Sequence, residues 1–331
     1  MTDANEIARA MAPPSRGQRV LMPLLSLALF LAASSAVYHL LQELNVDRML
    51  AEVRQLSSGQ LGLALLLTAA SYTVLIGYDW SALRYIGQAV AFRTVAFAAF
   101  CGCAIANTVG VNIVSGGSVR YRIYVPAGLG ALDVAQVTVF GMVAYGIGNF
   151  VLGAAALTLH ADLIGRFLPV PPGLLHGLGV SGLALFMTLA VLFVFRRAPM
   201  RIGRWRFRLP SARIAMAQLF FTLADIVFAG GCLYVLLNAP DVPFIAFLAV
   251  YSIATLAGMV SHVPGGLGVF ESILLLSFHG LISTESLAAA LLLYRAVYHL
   301  VPLSLAAALL AGREALDRVR RCGIPTNLGS I

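Results

Sequence analysis

A chain of 331 residues with 60% hydrophobic and only 11% charged residues, at a mean hydropathy of +0.89, departs far from soluble domains, in which about a quarter of residues are charged. The net charge of +8 comes wholly from arginine, because the sequence contains no lysine. Guanidinium groups stay ionised and fit phosphate oxygens well, but no soluble basic domain accompanies them, which excludes a nucleic-acid binder and indicates a protein dissolved in lipid.

Residues 1–19 carry Arg9, Arg16 and Arg19 and read as a cytoplasmic tail. The apolar run Val20–Leu41 is too long for a signal-peptide core of about 7–15 residues and has no convincing cleavage site, so a retained span is expected. Further stretches long enough to cross a hydrocarbon core of about 30 Å run Leu61–Tyr78, Thr94–Val111, Leu132–Leu159, Leu174–Phe195, Ile214–Leu237 and Leu287–Leu310. Two shorter pieces, Phe244–Val260 and Val269–Ile282, flank the Pro-Gly-Gly break at Pro264–Gly266. The expected fold class is all-α, a polytopic transmembrane helical bundle. Cys101, Cys103 and Cys232 sit in apolar segments as small packing residues. A helix would turn Cys101 and Cys103 to nearly opposite sides, which argues against shared metal ligation. No metal and no cofactor are expected.

Arginine also sets orientation. The segment 196–213 holds Arg196, Arg197, Arg201, Arg204, Arg206, Arg208 and Arg213 without an acid, and the tail 314–331 holds Arg318, Arg320 and Arg321; both belong in the cytoplasm. With a cytoplasmic start, five crossings before residue 196 would put the arginine-rich loop outside. One stretch therefore turns back, and Thr94–Val111 is the candidate because it runs into the polar, glycine-broken sequence from Asn112 to Tyr124. The expected domain is a transmembrane unit over 20–313, with halves of about 20–195 and 214–313 joined by the arginine-rich loop.

The two interruptions, Ser115-Gly-Gly-Ser-Val-Arg120 and Pro264-Gly-Gly-Leu-Gly-Val-Phe-Glu271, resemble each other, and their Gly-Gly pairs stand 149 positions apart. Paired broken helices in inverted repeats place a transporter's binding site near the bilayer midplane, and backbone broken inside a bilayer must be lined by protein or water. The candidate substrate-binding residues are Gly116, Gly117, Arg120 and Arg122 at the first break, His262, Gly265, Gly266 and Glu271 at the second, Arg295 in Leu287–Leu310, and Asp225 in Ile214–Leu237. A charge at the bilayer centre costs about 2.5–3.5 kcal/mol on insertion scales, so Glu271 and Arg295 are expected to face a cavity or to pair. No catalytic residue is assigned. Asn107 and Asn112 are read as interhelical hydrogen-bonding residues.

The run Ser115–Tyr124 and the run Ser261-His-Val-Pro-Gly-Gly-Leu-Gly-Val-Phe-Glu271 resemble the membrane region of bacterial phosphatidylglycerol lysyltransferases, the multiple peptide resistance factors, over about Val20–Arg313. That resemblance implies a flippase-like domain that moves a phospholipid, possible as aminoacylated (lysyl-) phosphatidylglycerol, across the cytoplasmic inner membrane of a bacterium. In the full-length relatives a separate cytosolic domain does the aminoacylation. This sequence has no counterpart of it, so a separate lipid aminoacyl synthase is an expected partner and catalysis is not expected. Two alternatives remain open at this point: an integral-membrane lipid-modifying enzyme using His262 and Glu271 as acid and base, or a membrane scaffold for such a synthase. The sequence leaves oligomeric state open.

Overall fold

The computed structural model describes residues 54, 56–109, 114–165, 170–195, 200–202, 205–207, 210–261 and 266–322. The expected span Val20–Leu41 and the tail 1–19 lie outside them, as do Asn112, His262 and Gly265. The described helices are α1 (Ser58–Ile86), α2 (Phe92–Val109), α3 (Ser115–Tyr124), α4 (Ala131–Leu159), α5 (Ala161–Ile164), α6 (Pro172–Phe195), α7 (Ala212–Leu237), α8 (Phe244–Val260), α9 (Val269–Ser277), α10 (Thr284–Tyr294) and α11 (Val301–Cys322). A π-helical segment, Arg295–Leu300, joins α10 to α11 in one continuous rod. A small antiparallel hairpin, β1 (Met200–Ile202) and β2 (Trp205–Phe207), interrupts the arginine-rich stretch.

Among the described residues, five helices are long and apolar enough to cross a membrane: α1, α4, α6, α7 and the rod from Thr284 to Leu316. α2 and α8 are shorter apolar helices. The protein is a multi-pass membrane bundle, and its outer surface agrees. Leu61, Leu65 and Leu66 on α1, Val143 and Ile147 on α4, and Leu185, Leu189 and Leu192 on α6 are exposed large apolar side chains, which water would penalise and lipid accepts.

Several element boundaries move from their expected places. α1 runs eight residues past Tyr78 because a left-handed Gly87, at φ +76°, ends it with Gln88 N–H bonded to the Leu83 carbonyl. The rod from Thr284 is longer than Leu287–Leu310, while α9 stops at Ser277 rather than Ile282. α9 therefore spans only about 13 Å at 1.5 Å per residue.

The chain is built twice. α1, α2, α3 and α4 begin at Ser58, Phe92, Ser115 and Ala131, and α7, α8, α9 and α10 begin 152–154 residues later at Ala212, Phe244, Val269 and Thr284. Even the caps recur, since Ser57 accepts from Gln60 N–H before α1 and Ser211 accepts from Ile214 N–H before α7. Each repeat is a long helix, a hairpin of one medium and one short helix, and a second long helix. α6 lies between the repeats and belongs to neither.

α1 and α7 pack along most of their length, and their contacts give the relation between the repeats. Thr68 touches Cys232, Ser71 touches Asp225 and Ser81 touches Gln218. Numbers rise on α1 as they fall on α7, so the two helices run antiparallel and the repeats are inverted. The contact is self-complementary, as a two-fold axis requires. Gly77, the twentieth residue of α1, faces Phe221, the tenth of α7, and Gly231, the twentieth of α7, faces Leu67, the tenth of α1.

The hairpins exchange sides across that axis. α2 packs on α11 of the second repeat, and α8 packs on α4 of the first. The open end of the first hairpin, the end of α1 and the start of α7 gather at one end of the bundle. Arg84 lies over Trp80 there, Arg313 lies over Phe97, and Arg122 meets Glu314.

Candidate functional site

The α3 sequence Ser-Gly-Gly-Ser-Val-Arg-Tyr-Arg-Ile-Tyr puts Arg120 and Tyr124 one turn apart on the face turned to α1 and α2. Arg120 is buried and grips Asp79 of α1 at both carboxylate oxygens: Nε donates to Oδ1 at 3.1 Å and Oδ2 at 2.9 Å, and Nη2 donates to Oδ1 at 2.9 Å. The Tyr124 hydroxyl donates to Oδ2 at 2.9 Å, and Nη2 also reaches Cys103 Sγ at 3.2 Å. Gly102 makes room for the guanidinium stem, since a Cβ there would lie 3.2 Å from it. A forked, charge-assisted pair of this kind is the arrangement that offsets the desolvation of two buried charges. Arg120 is therefore held by a carboxylate in this conformation.

Arg122, two residues on, faces the other way. Its side chain is exposed and sits 3.5 Å from Glu314, an exposed pair of the sort that contributes little. Arg122 rims a groove of about 390 Å³ between α3 and α4, lined by Gly117, Tyr121, Val134, Thr138 and Val139. Gly116 and Gly117 lie in the first turn of α3, which Val114 starts without a side-chain cap. At Gly117 a Cβ would meet nothing nearer than Thr138 at 3.8 Å, so space does not demand glycine there.

At the second break the backbone does demand it. Gly266 has φ +63° and Gly268 φ +83°, in the left-handed region that L side chains resist. Glu271 Oε2 accepts from Gly268 N–H at 2.8 Å and caps the first turn of α9. Its other oxygen accepts from Arg295 Nε at 3.0 Å and Nη2 at 2.5 Å. Of the two arrangements open for these residues, the structure shows the pair. Glu271→Gln keeps a cap acceptor but removes the charge opposite Arg295, and is expected to cost about 1.5–3 kcal/mol, the range for a hydrogen bond to a charged group. Thermal unfolding of the detergent-solubilised protein checks this; an unchanged midpoint would make the pair dispensable.

Asp225 lies at the contact of α1 with α7. Ser71 Oγ donates to its Oδ1 at 2.5 Å and lies 2.8 Å from the Tyr298 hydroxyl. Tyr298 stacks on Tyr294 with centroids 5.1 Å apart, and the Tyr294 and Tyr251 hydroxyls are 2.9 Å apart. None of Arg120, Arg122 or Arg295 is among the hydrogen-bond partners of Asp225.

Sequence reasoning passed over Asp79, Tyr124 and Ser71, and read Cys103, which meets Arg120, as a packing residue only. Asp79 was legible: an acid one residue beyond an apolar stretch is costly unless paired, but ending the helix at Tyr78 hid it. Ser71 had no signal of its own, although it is the fourteenth residue of α1 as Asp225 is the fourteenth of α7.

The family model for the lysylphosphatidylglycerol synthase TM region matches residues 23–306. An uncharacterised protein, slr0712, from Synechocystis is 30% identical over 305 residues, covering 92% of this chain and 94% of its own. Inner membrane protein YbhN from Escherichia coli is 28% identical over 245 residues, covering 72% of this chain and 76% of its own. A phosphatidylglycerol lysyltransferase from Staphylococcus aureus is 44% identical over 66 residues, which are 20% of this chain and 8% of that enzyme.

Proposed function

We propose, from the premise that this chain belongs to the lysylphosphatidylglycerol synthase transmembrane-region family, that it moves a phospholipid between the leaflets of a bacterial cytoplasmic membrane. The observation that carries this reading is the inverted repeat with a helical hairpin in each half. The short arms α3 and α9 have 10 and 9 residues, about half the length needed to cross, so each hairpin returns to the side it entered. Such paired hairpins between antiparallel halves are the architecture of alternating access.

Arginine content supports the orientation. The bundle end that gathers Arg84, Arg122, Arg213 and Arg313 is cytoplasmic by the positive-inside rule, which puts the first hairpin open to the cytoplasm and the second to the outside. A headgroup phosphate would enter at the exposed Arg122 with its acyl chain in the groove against Val134 and Val139. Arg120 would then trade Asp79 for phosphate as the halves rock, and the Glu271–Arg295 pair would close the opposite side. Phosphatidylglycerol and its lysyl ester are the first substrates to test, given the names of the family and of the staphylococcal relative.

The test is reconstitution into vesicles with a fluorescent phosphatidylglycerol in both leaflets. Bleaching by a membrane-impermeant reductant is expected to go to completion with the protein and to stop near half without it, while mass spectrometry finds the headgroup unchanged. A changed headgroup mass would assign an enzyme instead.

A further inference from the structure

The inverted relation of the repeats fixes a position that neither repeat shows alone. Where residues at equivalent positions of two repeats touch each other, the two-fold axis passes between them. Ser71 and Asp225 are such equivalents, each the fourteenth residue of its helix, and they are joined at 2.5 Å. For inverted repeats the axis lies in the membrane plane, at its middle. Asp225 is thus a carboxyl at the bilayer midplane, buried at 3% exposure.

The described groups around it carry no compensating charge. α1 presents Ser71, Tyr72 and Tyr78, α2 presents Cys103, α4 presents Tyr145, α8 presents Tyr251 and the π segment presents Tyr298. All are hydroxyls or a thiol, and no arginine or histidine is among these neighbours. The Tyr78 hydroxyl faces the same carboxyl and Thr222. The buried polar residues Thr222 and Gln218 continue one stripe along α7 towards its start, and Gln218 Nε2 is without a partner among the described residues.

A lone carboxylate at this depth is relieved by a cation or by a proton. The neighbours decide between them. Hydroxyls reverse roles freely: they donate to a carboxylate and accept from a carboxylic acid. A metal cation needs several oxygens at once, and the backbone carbonyls of α1 and α7 here are committed to their helices.

We propose that Asp225 is a proton-binding site whose occupancy couples the movement of the two repeats to the proton gradient. In the step, an Oδ–H bond forms as the carboxylate takes a proton from water open to one face, and the site becomes neutral. After the repeats rock, that bond breaks and the proton passes to water on the other face, leaving the carboxylate bound by Ser71. Coupling rests on the transport reading above; protonation of Asp225 does not.

The test is an infrared pH titration of the reconstituted protein in sodium-free buffer. Wild type is expected to show a protonated-carboxyl C=O band that titrates reversibly, that Asp225→Asn removes and that Asp225→Glu retains. Intact folding of each variant is read from its thermal unfolding midpoint. In vesicles, an inward acid gradient is expected to speed movement of labelled phosphatidylglycerol at least fivefold in wild type, with that gradient response lost in Asp225→Asn. Identical carboxyl bands in wild type and a folded Asp225→Asn, or a band that answers sodium rather than pH, overturns the site. A titrating band with lipid movement indifferent to the gradient overturns the coupling. A titrating band in a wild-type protein that moves no lipid overturns the transport reading and leaves the proton site standing.

Discussion

Asp79→Ala is expected to cost about 3–5 kcal/mol and to abolish lipid movement, because it strands the Arg120 guanidinium in a buried position where, among the described residues, Asp79 balances its charge. The Tyr124 hydroxyl would lose its acceptor in the same substitution. Stability and function separate in the paired variant Asp79→Leu with Arg120→Met. Removing both charges relieves the desolvation that each imposes, and apolar replacement of a buried ion pair is often neutral or stabilising. The double variant should therefore recover most of the unfolding midpoint and remain unable to move lipid, since a methionine cannot exchange a carboxylate for a phosphate. Measuring thermal unfolding and leaflet exchange on the same preparations decides it. Normal exchange by the double variant would reduce the pair to packing.

Gly266→Val is expected to abolish transport with insertion and expression largely intact. At φ +63° a β-branched residue is forced into a conformation it strongly resists. Its Cβ would also stand 3.4 Å from the Cα of Gly258, with two methyls still to place against α8. The hairpin would have to open, while the apolar flanks in α8 and the rod from Thr284 still direct integration. Gly62→Ala is the control, because a Cβ there meets nothing within 4 Å and its backbone is helical. It should transport as wild type does. Equal transport by Gly266→Val would make the second break a surface loop.

Much of this architecture is written in hydropathy. Long apolar runs gave α4, α6 and α7 to within two residues, because lipid imposes length and apolar character together. The Gly-Gly pairs drew attention to both breaks, but a left-handed backbone requires glycine only at the second, at Gly266 and Gly268, while Gly116 and Gly117 lie in the first turn of α3. Polar partnerships were less legible. Glu271 and Arg295 are 24 residues apart on neighbouring helices, and a pairing could be read from cost alone. Asp79 and Arg120 are 41 apart through a hairpin whose closure no local pattern encodes. Ser71 and Asp225, 154 apart, required the repeat itself. The repeat was visible as two breaks but its offset was not, since the signal lies in positions such as Thr68 with Thr222 and Gly77 with Gly231 rather than in any continuous motif.

Alternating access requires that the two hairpins open to opposite faces, and cysteine labelling with an impermeant maleimide reads that directly. The turns after α3 and α9 hold the equivalent exposed positions Ala127 and Leu281. Cys101, Cys103 and Cys232 are buried, so a Cys322→Ser background gives a low baseline. In intact cells, Leu281→Cys is expected to label and Ala127→Cys to label only after the membrane is permeabilised. Labelling of both from the same side would contradict the inverted arrangement and the transport built on it.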